Sequence, residues 1–260
     1  MFRWLKALPP AVAMAAMIIF AIFAASCGSS NSSARFVNAI SDDTQALDIE
    51  FSGTTEFKDV GPFTPSGSTY VSIPTGSDKI QGFATGTTTS PVFTQTSPVS
   101  FNSGSQYTMV ATGTLAGTVV LLAPVDTNTA PANGSVNFRV INASLSGPGS
   151  VDVYILQDSA PNTTCFGAVG CSPQITALPS PVSSVNPVSS YVTLPYNSLG
   201  FGYTLYVTVT GQTTPLPGWN GGYSFNAGSV SLGSVRTIVL TDAAGGGGMS
   251  ALPIVLSDLN

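Results

Sequence analysis

Hydrophobic and polar residues alternate along most of this chain with a period of two. In Tyr203-Thr-Leu-Tyr-Val-Thr-Val-Thr210, threonines interleave with apolar side chains, and β-branched and aromatic residues dominate. That is the pattern of a half-buried strand. Short segments of this kind recur about every ten residues, separated by Gly, Pro, Asn or Asp. They predict strands near 35–41, 46–52, 68–74, 78–84, 97–101, 105–112 and 117–124. A second set falls near 136–143, 150–156, 189–194, 202–210, 229–232, 235–241 and 250–256. Seven short strands in about 100 residues fit an antiparallel sandwich.

The two sets are copies of one another. Arg35-Phe-Val-Asn-Ala39 aligns with Arg139-Val-Ile-Asn-Ala143, and Leu47-Asp-Ile-Glu-Phe51 falls on Val151-Asp-Val-Tyr-Ile155 at the same offset of 104 residues. Tyr70-Val-Ser-Ile-Pro74 then matches Tyr191-Val-Thr-Leu-Pro195, and Gln106-Tyr-Thr-Met-Val-Ala-Thr112 matches Val235-Arg-Thr-Ile-Val-Leu-Thr241. Four blocks in the same order indicate a duplicated domain. The expected fold is therefore all-β, with two tandem immunoglobulin-like antiparallel β-sandwiches after an N-terminal signal helix. Copy 1 is assigned to 35–126, a linker to 127–135, and copy 2 to 136–260 with a Pro/Ser-rich insertion near 157–189.

The N-terminus breaks the pattern. Arg3 and Lys6 precede an apolar run from Leu8 to Ala25, then Ser26-Cys27-Gly28 and a Ser/Asn stretch. A basic start, an apolar core and small residues before a break read as an export signal. Ala24-Ala25-Ser26-Cys27 resembles a bacterial lipoprotein signal. The resemblance implies cleavage after residue 26 and lipidation of Cys27, with 27–34 as a flexible tether. An uncleaved anchor of about 18 apolar residues and an ordinary signal peptide are the other readings. All three put the remaining chain outside the cytoplasm. Gly28 is not the Asp that retains lipoproteins at the inner membrane in well-studied Gram-negative bacteria, which favours the outer membrane.

Composition then narrows the chemistry. Only 7 % of residues are charged, and there is no histidine. Ser-His-Asp and Cys-His nucleophile systems and His-ligated metal sites are therefore excluded. Removing the signal takes seven Lys+Arg to five against twelve Asp+Glu, so the net charge moves from −5 to −7. A nucleic-acid partner bound through phosphate neutralisation does not fit that balance. No cofactor is expected.

Within each copy an opening Arg-x-x-Asn-Ala is followed by an Asp-bearing strand, Val151-Asp-Val-Tyr154 in the second. Together with Tyr-x-x-Leu-Pro, and with Tyr107-Thr-Met-Val-Ala-Thr-Gly113, these motifs resemble the exported domain-of-unknown-function family 4397. That family more often opens with His-Ala-Ser-Pro, where this chain has Asn38-Ala39-Ile40-Ser41 and Asn142-Ala143-Ser144-Leu145. The resemblance implies envelope or secreted β-sandwich modules and supplies no catalytic residues.

Few residues suggest chemistry. Cys165 and Cys171 close a short loop and read as a disulfide in an oxidising compartment; C-x5-C is the spacing of neither a redox nor a metal pair. Asp48 and Asp152 recur at one strand position, as outward residues or turn caps. Arg35 and Arg139 are each expected to pair with the Asp of their own copy, as exposed pairs contributing ~0–1 kcal/mol. Asp42-Asp43 lack a calcium-loop pattern, and no metal site is expected. Gly245-Gly-Gly-Gly248 lacks the residues of a phosphate loop and reads as a hairpin loop. For Trp219, Tyr223 and Phe225, in a Gly/Pro/Asn-rich stretch, burial at the sandwich end is the favoured reading, and a partner-binding loop is the alternative. The function expected is a non-enzymatic, lipid-anchored envelope protein with a structural or adhesive role toward an envelope polymer or protein. The alternatives are a carbohydrate-binding module or an accessory domain of a carbohydrate-active enzyme.

Overall fold

The structure is a computed structural model that describes residues 31–127, 129–158, 171–182, 186–196, 202–225 and 230–259. Among these residues every regular element is a strand. Copy 1 holds β1 (Ser32–Ile40), β2 (Leu47–Phe51), β3 (Thr54–Val60), β4 (Thr64–Pro65), β5 (Val71–Ile73), β6 (Gly76–Asp78), β7 (Ile80–Ala84), β8 (Phe93–Thr94), β9 (Val99–Phe101), β10 (Gln106–Gly113), β11 (Val119–Leu122) and β12 (Val125–Asp126). Copy 2 holds β13 (Ser135–Asn142), β14 (Ser150–Gln157), β15 (Ile175–Pro179), β16 (Val192–Pro195), β17 (Tyr203–Val209), β18 (Tyr223–Phe225), β19 (Val235–Leu240) and β20 (Ile254–Ser257). The export segment, Cys27 and Cys165 lie outside the described residues.

Each copy is a two-layer sandwich, and the layers correspond. One sheet runs β11-β10-β1-β4 in copy 1 and β20-β19-β13-β16 in copy 2; the other runs β3-β2-β7-β8 and β15-β14-β17-β18. In copy 1, Phe36, Met109 and Ala111 of the first sheet pack against Leu47, Ile49 and Phe57 of the second. In copy 2, Phe138, Val140 and Ile238 meet Val153, Leu205 and Val207. These are the inward halves of the period-two pattern.

Neither sandwich is wholly antiparallel. The first strand of each copy runs parallel to a late one: β1 beside β10, with Arg35 opposite Thr108, and β13 beside β19, with Arg139 opposite Thr237. Strands flanked this way tend to be covered on both faces, and β1 and β10 are buried along almost their full length. The alternation expected of a half-exposed strand is therefore missing from them.

Three local expectations change. The tether is shorter than read, because residues 32–34 already belong to β1 and the Ser32 hydroxyl donates to the Asn102 carbonyl at 2.7 Å. The segment read as an insertion contains β15, which pairs with β14 as β3 pairs with β2. Residues 230–232 form no strand, and β18 pairs with β17 as β8 pairs with β7 in copy 1.

The β10–β11 hairpin turns at Gly113, whose φ is +116°. A Cβ there would sit 2.1 Å from the Thr118 carbonyl oxygen, a main-chain atom that cannot step aside. Gly113→Ala combines that clash with a backbone angle L-residues avoid. Denaturant unfolding of this variant should show a loss of about 1–3 kcal/mol; an unchanged midpoint would contradict the described turn.

Candidate functional site: the junction between the copies

The outer faces of the β10-β1 and β19-β13 sheets meet. Val37, Ala39 and Val110 from copy 1 pack against Ile141, Ala143, Val239 and Leu256 from copy 2. Full burial of each Val, Ile or Leu contributes about 1.5–3 kcal/mol. Gly245 in the glycine hairpin between β19 and β20 donates its N–H to the Ser41 carbonyl at 2.7 Å. The Thr112 hydroxyl donates to the Ala143 carbonyl.

Arg35 and Arg139 lie on this face, 1 % and 2 % exposed. Neither pairs with the Asp of its own copy's second strand, as the sequence suggested. Arg35 donates to Asp258 at the end of copy 2 and to the Ser257 carbonyl. Arg139 donates to Asp126 at the end of copy 1 and, at 2.8 Å, to the Val125 carbonyl. The partners match throughout. Thr108 and Thr237 accept from Arg35 and Arg139 in turn, and donate to Asp126 and Asp258, both at 2.7 Å. The Tyr70 ring covers Arg35 and the Tyr191 ring covers Arg139, each at 4.8 Å from guanidinium carbon to centroid. Their hydroxyls donate to Asp126 and Asp258 at 2.7 and 2.6 Å. The copies thus exchange charges across a pseudo-twofold axis, the self-complementary arrangement of an isologous dimer within one chain.

This environment shapes the tyrosines and Arg139. Burial, reinforced by Asp126, pushes the Tyr70 hydroxyl well above its ordinary pKa against the opposing Arg35 charge. Burial raises Tyr191 likewise, with Arg139 opposing and Asp258 adding. Burial disfavours the Arg139 charge, but Asp126 more than offsets it and holds the guanidinium above its usual value. Both phenols therefore stay protonated donors.

The recurring strand acids serve the main chain. Asp48 accepts from the Asp59 and Gly86 N–H groups at 3.0 and 3.2 Å. Burial would raise its pKa, but these bonds outweigh that and lower it. Asp152 accepts from Ala177 and Gly211, both at 2.8 Å. Asp42 caps the β10–β11 hairpin through Leu115 and Ala116. Asp242 caps the loop after β13 through Leu145 and Ser146. Among the described residues no three His, Cys, Asp or Glu side chains are grouped to hold a metal.

Trp219 is not an exposed binding residue. It is 0 % exposed and part of the copy 2 core, with no acceptor for its indole N–H among the described residues. Phe225 is also buried, beside Phe138 with ring centroids 5.9 Å apart. Tyr223 is half-buried, packed against the same core and edge-on to Phe225 with ring centroids 5.3 Å apart. It lines a groove of about 650 Å³ at the junction, together with Arg35, Pro65 and Ser68 from copy 1 and Arg236 and Val255 from copy 2. Cys171 is disulfide-bonded.

Residues 32–154, just under half of the chain, match the family model described as Domain of unknown function (DUF4397). The match takes in copy 1, the first strand of copy 2 and part of the second, including Asp126 and Arg139. No curated protein matches the chain. Among solved structures it is similar to a crystal structure of a "putative cell adhesion protein" from Bacteroides fragilis, at 11 % identity over 88 % of this chain and 97 % of that one, with a TM-score of 0.21.

Removing one member of a buried ion pair strands the other. Arg139→Ala and Asp126→Ala should each lower the unfolding free energy by about 3–5 kcal/mol, and the double variant by less than their sum. Losses below about 1 kcal/mol, the value for an exposed pair, would contradict the geometry.

Proposed function

We propose that this protein is a non-enzymatic, lipid-anchored protein of the bacterial cell envelope. Its two sandwich copies form a single stiff body that binds a polymer or protein of the cell exterior. On this reading copy 2, like copy 1, is a module of the domain-of-unknown-function family, and Cys27 carries the lipid. The observation that supports the proposal is the use made of six of the twelve acidic side chains. Asp126 and Asp258 neutralise buried guanidiniums, and Asp42, Asp48, Asp152 and Asp242 hold main-chain N–H groups. Hydrolysis of a glycan by general acid–base chemistry needs two carboxyl groups facing the substrate, and these six are engaged elsewhere.

The anchor geometry supports display close to a surface. β1 starts at Ser32, five residues after Cys27. At roughly 3.3–3.6 Å per residue that separation spans about 17 Å, so the body would stand against the membrane rather than on a long stalk. The carbohydrate-binding alternative loses the aromatic loop that suggested it, since Trp219 and Phe225 are buried.

Two measurements on one preparation test the proposal. Cells expressing the full chain with an alkyne-palmitate label should place label on the wild type and none on Cys27→Ser. The purified protein should co-sediment with isolated envelope polymer without shortening it. Unlabelled wild type would remove the anchor, and depolymerisation would remove the non-enzymatic role.

A further inference from the structure

The four central strands of the junction all start at one end of the body. β1 runs parallel to β10, and β13 to β19. Arg35 reaches Ser257 and Asp258 beside the start of β19, and Arg139 reaches Val125 and Asp126 beside the start of β10. The far ends meet through Gly245 with Ser41 and Thr112 with Ala143. The chain coming from Cys27 enters at the starting end, at Ser32.

At this end the two copies are built alike but faced differently. The turn Asn102–Ser105 leads into β10 and the turn Ser231–Ser234 into β19, each closed by a hydrogen bond from its last N–H to its first carbonyl, with a positive φ at Gly104 and Gly233. In copy 2 the strand ends line up: the N–H groups of Tyr196, Gly233 and Asp258 donate to the carbonyls of Gly134, Ser135 and Val235 at 2.8, 3.1 and 2.9 Å. Tyr196, Leu232 and Leu259 therefore share one row, on the ends of strands spaced about 4.8 Å apart. The same positions in copy 1, next to Pro74, Gly104 and Asp126, hold Thr75, Ser103 and Thr127. Three hydroxyl residues in one copy stand where a tyrosine and two leucines stand in the other. Leu232 is 56 % exposed at the tip of its turn and outside the copy 2 core, while Tyr196 and Leu259 are half-buried. Packing within copy 2 does not account for Leu232, and an apolar row turned outward calls for something to cover it.

We propose that the row Tyr196–Leu232–Leu259 rests on the lipid surface that holds Cys27, so that the body is fixed at two points: by its tether under copy 1 and by this row under copy 2. The proposal rests on the anchored reading argued above and names the face turned to the membrane. The tether selects lipid as the occupant. Facing sheets pack about 10 Å apart, which is inside the reach of about 17 Å that five residues allow. A lipid-linked Cys27 thus brings the row down to the bilayer. There the leucines enter the boundary between headgroups and acyl chains, and the tyrosine hydroxyl stays at its polar edge. Glu56 and Asp78 flank copy 1 at the same end, so the attraction is apolar and gains nothing from anionic lipid.

The test uses protein purified from membranes and reconstituted into phosphatidylcholine vesicles that carry a doxyl-lipid quencher. A nitrobenzoxadiazole label is placed on Asn133→Cys, in an exposed turn at the starting end, or on Leu252→Cys, 72 % exposed at the far end. The expected result is strong quenching at 133 and none at 252, unchanged by added phosphatidylglycerol. Giving copy 2 the residues of copy 1, with Tyr196→Thr, Leu232→Ser and Leu259→Thr together, should remove most of the quenching at 133. If that triple variant melts early, Leu232→Ser alone serves, since the side chain lies outside the core; it should lower the quenching with an unchanged melting temperature. Equal quenching at both sites, no quenching at 133, quenching that the variants leave intact, or a dimer in detergent that the variants dissociate would each overturn the proposal. The mass of the Cys27 peptide from the same preparation separates the two readings. An acylated Cys27 without quenching at 133 removes the docked face alone, and an unmodified Cys27 removes the anchor and this proposal together.

Discussion

A guanidinium cannot be taken out of water without a counter-charge and acceptors for its N–H groups. In this protein two are buried at the centre, on strands covered on both faces, and each finds its carboxylate at the end of the other copy. The close pairs both cross between the copies; within copy 1, Arg35 reaches Asp126 only at 3.8 Å. The apolar contacts around Ile141 and Val239 supply the attraction; the exchanged charges fix how the copies meet, since a shift along the strands would leave buried charges unpaired. Threonine and tyrosine complete the arrangement, so each carboxylate also accepts two neutral hydrogen bonds.

On the proposed reading, binding falls to what the exchange leaves outside. The matched residues are consumed by the junction and the capping acids by turns. Divergence between the copies appears at one end, where Thr75, Ser103 and Thr127 on one side are replaced by Tyr196, Leu232 and Leu259 on the other. A duplicated protein can hold its symmetric contact and specialise an asymmetric edge. That end takes residues from both copies, so its shape depends on the junction remaining closed.

Much of this was legible in the sequence. The repeat, the period-two strands and the all-β class followed from alternation and self-similarity, and Arg35 and Arg139 stood out because they recur. Their partners did not, since Asp126 and Asp258 fall outside the aligned blocks and lie in the opposite copy from the arginine each one meets. A signal was present: Arg35-Phe-Val-Asn-Ala-Ile40 and Phe138-Arg-Val-Ile-Asn-Ala143 are apolar on both parities, which marks strands buried on both faces. An arginine in such a strand requires a buried acid. Trp219 was expected to pack at the sandwich end, with an exposed binding loop as the alternative, and it does: its loop folds back over the end of copy 2, with Pro215 bridged to Thr208 and the indole entering the core. β15 was hidden because the length difference between the copies was placed on one block, and a strand within it kept its sheet position.

The central claim is that the copies form one thermodynamic unit through the exchanged charges. Differential scanning calorimetry of the full chain tests it most directly. The account predicts a single transition with equal calorimetric and van't Hoff enthalpies, which separates into two when Asp258→Asn leaves Arg35 only the longer, 3.8 Å pair with Asp126 of its own copy. Two independent transitions in the wild type, or a single transition unaltered by Asp258→Asn, would contradict it.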